Sequence, residues 1–211
     1  MDARRRDTRR AEHGAGAGPG GALRRLEHIA LWGGVAAPVL YIVIVLAAVL
    51  PGYDPVTDPI SALTAAGRPG IKWIEAGFGL YNLLLMAFAS AGWTLADSGW
   101  RRVFVTLMVT AGAGLLMWPF AMDMPGAPVS AGGMFHLGLA AVASISTIVA
   151  VWLSILNWQR FGHRQMRWFS SVCLAVIALS GVAAAAGAAL GWPVVGLLER
   201  LTIGASWPGL A

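Results

Sequence analysis

Six apolar runs separated by short connectors dominate this sequence, and they restrict the chain to one kind of solvent. A helix needs about 20 predominantly apolar residues to cross the hydrocarbon core of a bilayer. Runs at residues 29–50, 71–95, 103–120, 131–158 and 168–190 meet or approach that length. A sixth, at 193–207, is shorter and carries Glu199 and Arg200. It reads either as a tilted span or as a helix lying at the interface. Hydrophobic residues make up 57% of the 211 and charged residues only 12%, too few to coat a soluble domain of this size. The expected fold class is all-α, a polytopic transmembrane bundle of six helices.

The connectors carry the orientation. With the N-terminus in the cytoplasm, the inner connectors are residues 96–102 and 159–167, which hold Arg101, Arg102, Arg160, Arg164 and Arg167. The outer connectors hold Asp54, Asp58 and Asp123, with Arg68 and Lys72 as their basic residues. That asymmetry matches the positive-inside rule and places both termini in the cytoplasm of a cell membrane. Removing one helix from the count would put the arginine-bearing connectors on opposite sides. Seven of the fifteen Lys and Arg residues precede residue 26. They read as a topology signal and a contact for anionic lipid headgroups, and nucleic acid is not expected as a partner. Residues 1–22, rich in Arg, Ala and Gly, form an expected disordered basic tail, and residues 23–211 the membrane domain. The first run is longer than the roughly 7–15 residues of a signal-peptide core and no small-residue cleavage site follows, so it reads as a retained anchor.

Ten tryptophans fall mostly near the predicted helix ends, where an indole packs on lipid and its N–H meets water. Gly187 and Gly191 form a GxxxG pair, and Gly112, Gly114, Gly132, Gly133 and Gly138 add small sites. Close backbone approach between the chain's own helices is the simpler reading of these glycines than a dimer motif. The one cysteine, Cys173, lies within an apolar run and reads as a small core side chain. Phosphate loops, CxxC sets, nucleophile elbows and paired haem histidines are absent.

Polar residues inside or beside hydrocarbon are costly and ask for a reason. Here they collect at the outer side: Asp54, Asp58 and Ser61 in the first outer connector, Glu75 one turn into helix two, Asp123 after helix three, His136 near the start of helix four, and Glu199 and Arg200 on helix six. Asp58 before Pro59 reads as an N-cap, opening a short helix to about Ala66 that Gly67 ends. Glu199 and Arg200 point about 100° apart on a helix, so they cannot simply neutralise each other. Arg200 is expected to pair with Asp123 or Glu75, and Glu199 with His136 or a loop N–H. Asn82 reads as an interhelical hydrogen-bonding residue. Asp123 and His136 could pair structurally, contact a proton or substrate, or join a metal shell, but no metal-ligand spacing supports the last.

The segments Leu50-Pro51-Gly52-Tyr53-Asp54-Pro55, Asp58-Pro59-Ile60-Ser61-Ala62-Leu63, Trp118-Pro119-Phe120-Ala121-Met122-Asp123 and Gly196-Leu197-Leu198-Glu199-Arg200, with His136, resemble the domain of unknown function 998 family of six-helix bacterial membrane proteins. The resemblance runs from about Ala30 to the C-terminus. It implies six helices and brings no established activity or cofactor. By looser analogy the outer Ser, Asp and His set is similar to that of the metal-dependent hydrolase superfamily containing alkaline ceramidases and progestin-type receptors. This chain has six helices where that group has seven, and lacks the paired histidines of its last helix.

The leading expectation is a multi-pass protein whose outward-facing polar pocket, built from Asp58, Ser61, Asp123, His136, Glu199 and Arg200, contacts a lipid, a small molecule or a partner helix. A second is a membrane hydrolase acting on a lipid-like substrate, with Asp123, His136 and Ser61 or Glu199 around a metal-bound water. A third is a proton-coupled transporter, which would require accessible polar residues on the cytoplasmic side as well.

Overall fold

The computed structural model describes residues 19–47, 51–124 and 126–206. Seven α-helical segments make six rods, and the described residues contain no β-strand. The first rod is α1 (Pro19–Leu31) followed by α2 (Gly33–Ala47); the others are α3 (Ile71–Leu95), α4 (Ser98–Leu116), α5 (Ala131–Arg160), α6 (Arg164–Leu190) and α7 (Val195–Ser206). The six-helix, all-α expectation holds. Four rods, Arg25–Leu46, α3, α5 and α6, are long and apolar enough to cross a membrane. The other two differ from them in instructive ways. Helix α4 has 19 residues and carries Arg101 and Arg102 close to its start. Helix α7 has only 12 residues and so rises about 18 Å, short of the roughly 30 Å of hydrocarbon.

Helix α1 starts at Pro19, earlier than a disordered tail of residues 1–22 would allow. Proline suits a first turn because its fixed φ is helical and its missing N–H would have no partner there. The rest of that tail, Leu50 and Trp207 lie outside the described residues. Between α1 and α2 the helix breaks for one residue, Trp32, whose N–H donates to the Ile29 carbonyl at 3.1 Å. Pro38 lies one turn into α2 and cannot donate back to Gly34. Gly33 and Gly34 then bring α2 close to α3: a Cβ on Gly33 would strike the Leu84 carbonyl, and one on Gly34 the ring of Phe88.

Successive rods pack side by side along the chain, α2 on α3, α3 on α4, α4 on α5, α5 on α6 and α6 on α7. Hydrocarbon supplies no hydrophobic drive between helices, so shape and polar contacts must hold them. The shape comes from glycines that receive large side chains: Gly79 takes the Trp118 ring, Gly92 the Phe104 ring and Gly114 the Asn82 amide. Hydroxyl pairs cross two of the interfaces, Thr110 to Ser146 between α4 and α5 and Ser180 to Thr202 between α6 and α7, each at 2.8 Å. Asn82 does not bond between helices. Its Nδ2 donates at 2.9 Å to the Phe78 carbonyl, an acceptor one turn back that a helical side chain can always reach. Gly191 ends α6 at a φ of 69°, and its N–H donates to the Gly187 carbonyl. Gly187 in turn packs against Trp192 and Val195. The GxxxG pair therefore shapes the turn into α7 and serves the chain's own packing.

The connector between α2 and α3 folds inward instead of looping out. Its centre is a 3-10 helix, Ile60–Thr64. Ile60 and Leu63 are buried among Tyr41 and Ile44 of α2, Ile74 and Phe78 of α3, and Ile203 of α7. The Ala66 N–H donates to the Met122 carbonyl at 3.0 Å, tying this connector to the one after α4. This is the outer end in the expected orientation.

Gly114→Ala should lower the midpoint of thermal unfolding in detergent by several degrees, a cost of about 1–3 kcal/mol for an overpacked contact. Adding Asn82→Ala should recover most of the loss. If the double variant were as unstable as the sum of the two singles, the Asn82–Gly114 contact would not be what brings α3 and α4 together.

Candidate functional site

Helix α7 and the inward-folded connector build a polar cluster between them at one end of the bundle. Gly196 lets their backbones meet, because a Cβ there would strike the carbonyls of Asp58 and Pro55. The Leu197 N–H donates to the Val56 carbonyl at 3.1 Å. Three residues along α7, a Glu199 carboxylate oxygen accepts the Ile60 N–H at 2.5 Å, and the Ser61 N–H also reaches that carboxylate. The first N–H groups of a helix have no partner inside it. Glu199 therefore caps the 3-10 helix from a distant part of the chain.

Asp58 was the expected cap, and the structure corrects that. Pro59 holds the N-cap position with no side-chain hydrogen bond. Asp58 turns back into its own loop, where its carboxylate accepts the Asp54 N–H at 3.2 Å and lies 3.7 Å from an Arg68 nitrogen. The helix also ends earlier than expected, with Ala65 as its C-cap, while Gly67 turns the chain at a φ of 84°.

Arg200 pairs with neither Asp123 nor Glu75. Its Nη1 donates to the carbonyls of Pro55 at 2.5 Å and Gly196 at 2.9 Å, and its Nη2 donates to the Tyr53 hydroxyl at 2.5 Å. A guanidinium presents several donors in a fixed fork, which suits a set of neutral oxygens that a single carboxylate could not replace. Tyr53 is held from two sides, with the guanidinium carbons of Arg68 and Arg200 lying 5.5 and 5.6 Å from its ring centroid. Burial pushes the Tyr53 phenol up, and the hydrogen bond and charge of Arg200 pull the other way. The group is a neutral donor as well as an acceptor, and its hydroxyl reaches the Pro59 carbonyl at 3.4 Å.

Arg68 is the residue that sequence reasoning passed over. It reads as an ordinary loop cation, yet its side chain is only 7% exposed. Its Nε is buried and has no hydrogen-bond partner. The nearest carboxylate, Asp58, stands at a loose 3.7 Å. Tyr53, Asp54 and Asp58 stand ahead of it in the same connector, though spacing alone could not bring them together.

Asp123 and His136 form a separate group on α5. The Asp123 carboxylate accepts the Ser130 N–H at 2.8 Å and sits directly over Gly133. Ser130 caps α5 by accepting the Gly133 N–H at 3.0 Å. His136 is buried, and its Nδ1 lies 2.7 Å from the Phe120 carbonyl. A carbonyl only accepts, so Nδ1 carries the proton. These contacts fasten the connector after α4 onto the start of α5. No hydrogen bond among the described residues links Ser61 or Glu199 to this pair, and no three His, Cys, Asp or Glu side chains there gather closely enough to hold a metal ion. The residues a hydrolase would need are thus divided between two groups. Glu75 joins neither through any ion pair among the described residues.

A family model described as a protein of unknown function, DUF998, matches residues 35–210. No curated protein and no solved structure matches the chain.

Arg200→Ala should lower thermal stability in detergent by about 2–4 kcal/mol, since it leaves several carbonyls and the Tyr53 hydroxyl without their charged donor. Tyr53→Phe should cost about 1 kcal/mol. A neutral outcome for Arg200→Ala would mean that the loop does not depend on α7.

Proposed function

This chain belongs to the DUF998 family of proteins of unknown function, and we propose that it is a multi-pass cell-membrane protein that holds an anionic oxygen-bearing group at its outer polar cluster. One observation carries the reading: Arg68 is buried, its Nε has no acceptor among the described residues, and the carboxylate of Asp58 stands 3.7 Å away. A buried guanidinium without full hydrogen bonding is expensive. A phosphate or carboxylate would complete it by displacing Asp58, which is more exposed, at 22%, and can turn to water. Such a group could arrive on a lipid headgroup or as a free small molecule. In either case the Glu199 and Arg200 contacts hold the loop that presents Arg68. The hydrolase and transporter readings gain no specific support from the geometry.

The reading makes Asp58 a competitor and Arg68 the receptor, and that is testable. Purified protein in neutral detergent should be stabilised by inorganic phosphate or by phosphatidylglycerol, by about 2.7 kcal/mol at a hundredfold excess over Kd. Asp58→Asn should lower basal stability but tighten this binding, whereas Arg68→Gln should abolish it. Stabilisation by phosphate alone would identify a soluble ligand, and by the lipid alone a headgroup. Indifference of wild-type protein to both probes would refute the proposal.

The orientation with both termini in the cytoplasm rests on the arginine-bearing connectors. With Cys173 replaced by Ser, a thiol at the exposed Ala127 should react with an impermeant reagent on intact cells. A thiol at the exposed Gln165 should react only after permeabilisation. The reverse pattern would invert the assignment.

A further inference from the structure

We propose a second anion site at the opposite end of the bundle, in a cleft between the end of α5 and the start of α6, that takes the phosphate-bearing headgroup of an anionic lipid. The cleft is open to its surroundings, has a volume of about 890 Å³, and is lined by Gln159, Arg164, Gln165, Arg167 and Ser171 together with Ile155 and Trp168. A smaller cleft of about 180 Å³ adjoins it, sharing Gln159, Arg164 and Arg167 and adding Trp158. Neither contains a carboxylate.

Three features point to the ligand class. First, Arg164 and Arg167 form no ion pair among the described residues. The carboxylates at this end are engaged elsewhere: Asp97 caps α4 through the N–H groups of Gly99 and Trp100, and Glu27 accepts from Thr94. Second, the smaller cleft brings Trp158 together with Arg164 and Arg167, and two guanidinium groups with no carboxylate beside them favour an oxyanion. The first turn of α6 adds to this field, since His163 at its N-cap contributes no side-chain hydrogen bond and the positive end of the helix is left open. Third, the cleft joins its arginines to an apolar wall made by Ile155 and Trp168, with the Ser171 hydroxyl as a further polar group. Ile155 lies one turn back along α5 from Gln159, and the Trp168 ring is 71% exposed on the helix surface. A free phosphate would use the arginines and leave that wall unmatched. A lipid would use both, with its acyl chains running down the groove beside α5 and α6.

Phenylglyoxal, which modifies arginine, reads the site locally. In nanodiscs containing phosphatidylglycerol, Arg164 and Arg167 should be modified about tenfold more slowly than in phosphatidylcholine nanodiscs, as expected where two guanidinium groups share one anion. Arg102 and Arg160, at the same end but outside both clefts, should change less than twofold. Equal protection of all four would reveal only the general field of a charged surface and overturn the proposal. Equal protection by inorganic phosphate in phosphatidylcholine nanodiscs would replace the lipid with a free anion, and absence of protection would remove the site.

Discussion

The loop between α2 and α3 can fold into the bundle only because α7 brings a carboxylate and a guanidinium to its backbone. An irregular segment placed beside hydrocarbon exposes N–H and C=O groups that water would otherwise satisfy, and each orphan costs on the order of a few kcal/mol. Glu199 takes the N–H groups that open the 3-10 helix, and Arg200 takes the carbonyls of Pro55 and Gly196. The two charges are adjacent in sequence and spent on neutral backbone instead of on each other. Their 100° separation on the helix makes this division natural, because each side chain faces a different part of the loop. With the backbone satisfied, Ile60 and Leu63 can enter the core between α2, α3 and α7. That end of the bundle is closed by this plug.

Away from that end the bundle follows the rules of helices in lipid. Glycine beneath a ring or an amide lets the backbones approach, and paired hydroxyls replace the hydrophobic term that lipid withholds. The Thr110–Ser146 and Ser180–Thr202 bonds illustrate the second device. In each pair one hydroxyl can donate to a carbonyl one turn back in its own helix while it accepts from its partner, as Ser146 can on Val142 and Thr202 on Leu198. A donor shared in this way is never stranded when helices separate, so such pairs steer packing more than they strengthen it.

The long rods were legible in the sequence because length and apolarity suffice to specify them. The composition of the outer cluster was legible too, since a polar residue in an apolar run announces itself. Its pairings were not. Asp58 before Pro59 satisfies every local rule for a cap, yet Glu199, 139 residues from Ile60, occupies that role. Local rules see only the chain on either side of a residue, and a carboxylate arriving from another helix prevails when the backbone approach is close enough. Gly196 provides that approach, and only the fold reveals what it faces. Arg68 was hidden for the opposite reason. A cation in a connector is ordinarily solvated, and its burial depends on Tyr53 and Asp58 folding over it.

The two ends of the bundle solve the same electrostatic problem in opposite ways. At the end closed by the plug, charges are bound within the protein, and connectors are tied to each other and to α7. At the other end, among the described residues, arginines outnumber carboxylates, and Asp97 and Glu27 are committed to capping and a side-chain contact. Positive charge left unbalanced there would be stabilised by a negative membrane surface. Self-satisfaction rigidifies an end, whereas charges that look to the membrane for partners add no bond between helices. Relative movement of the rods should therefore cost most where α7 grips the loop and least between α5 and α6 at the arginine-bearing turn.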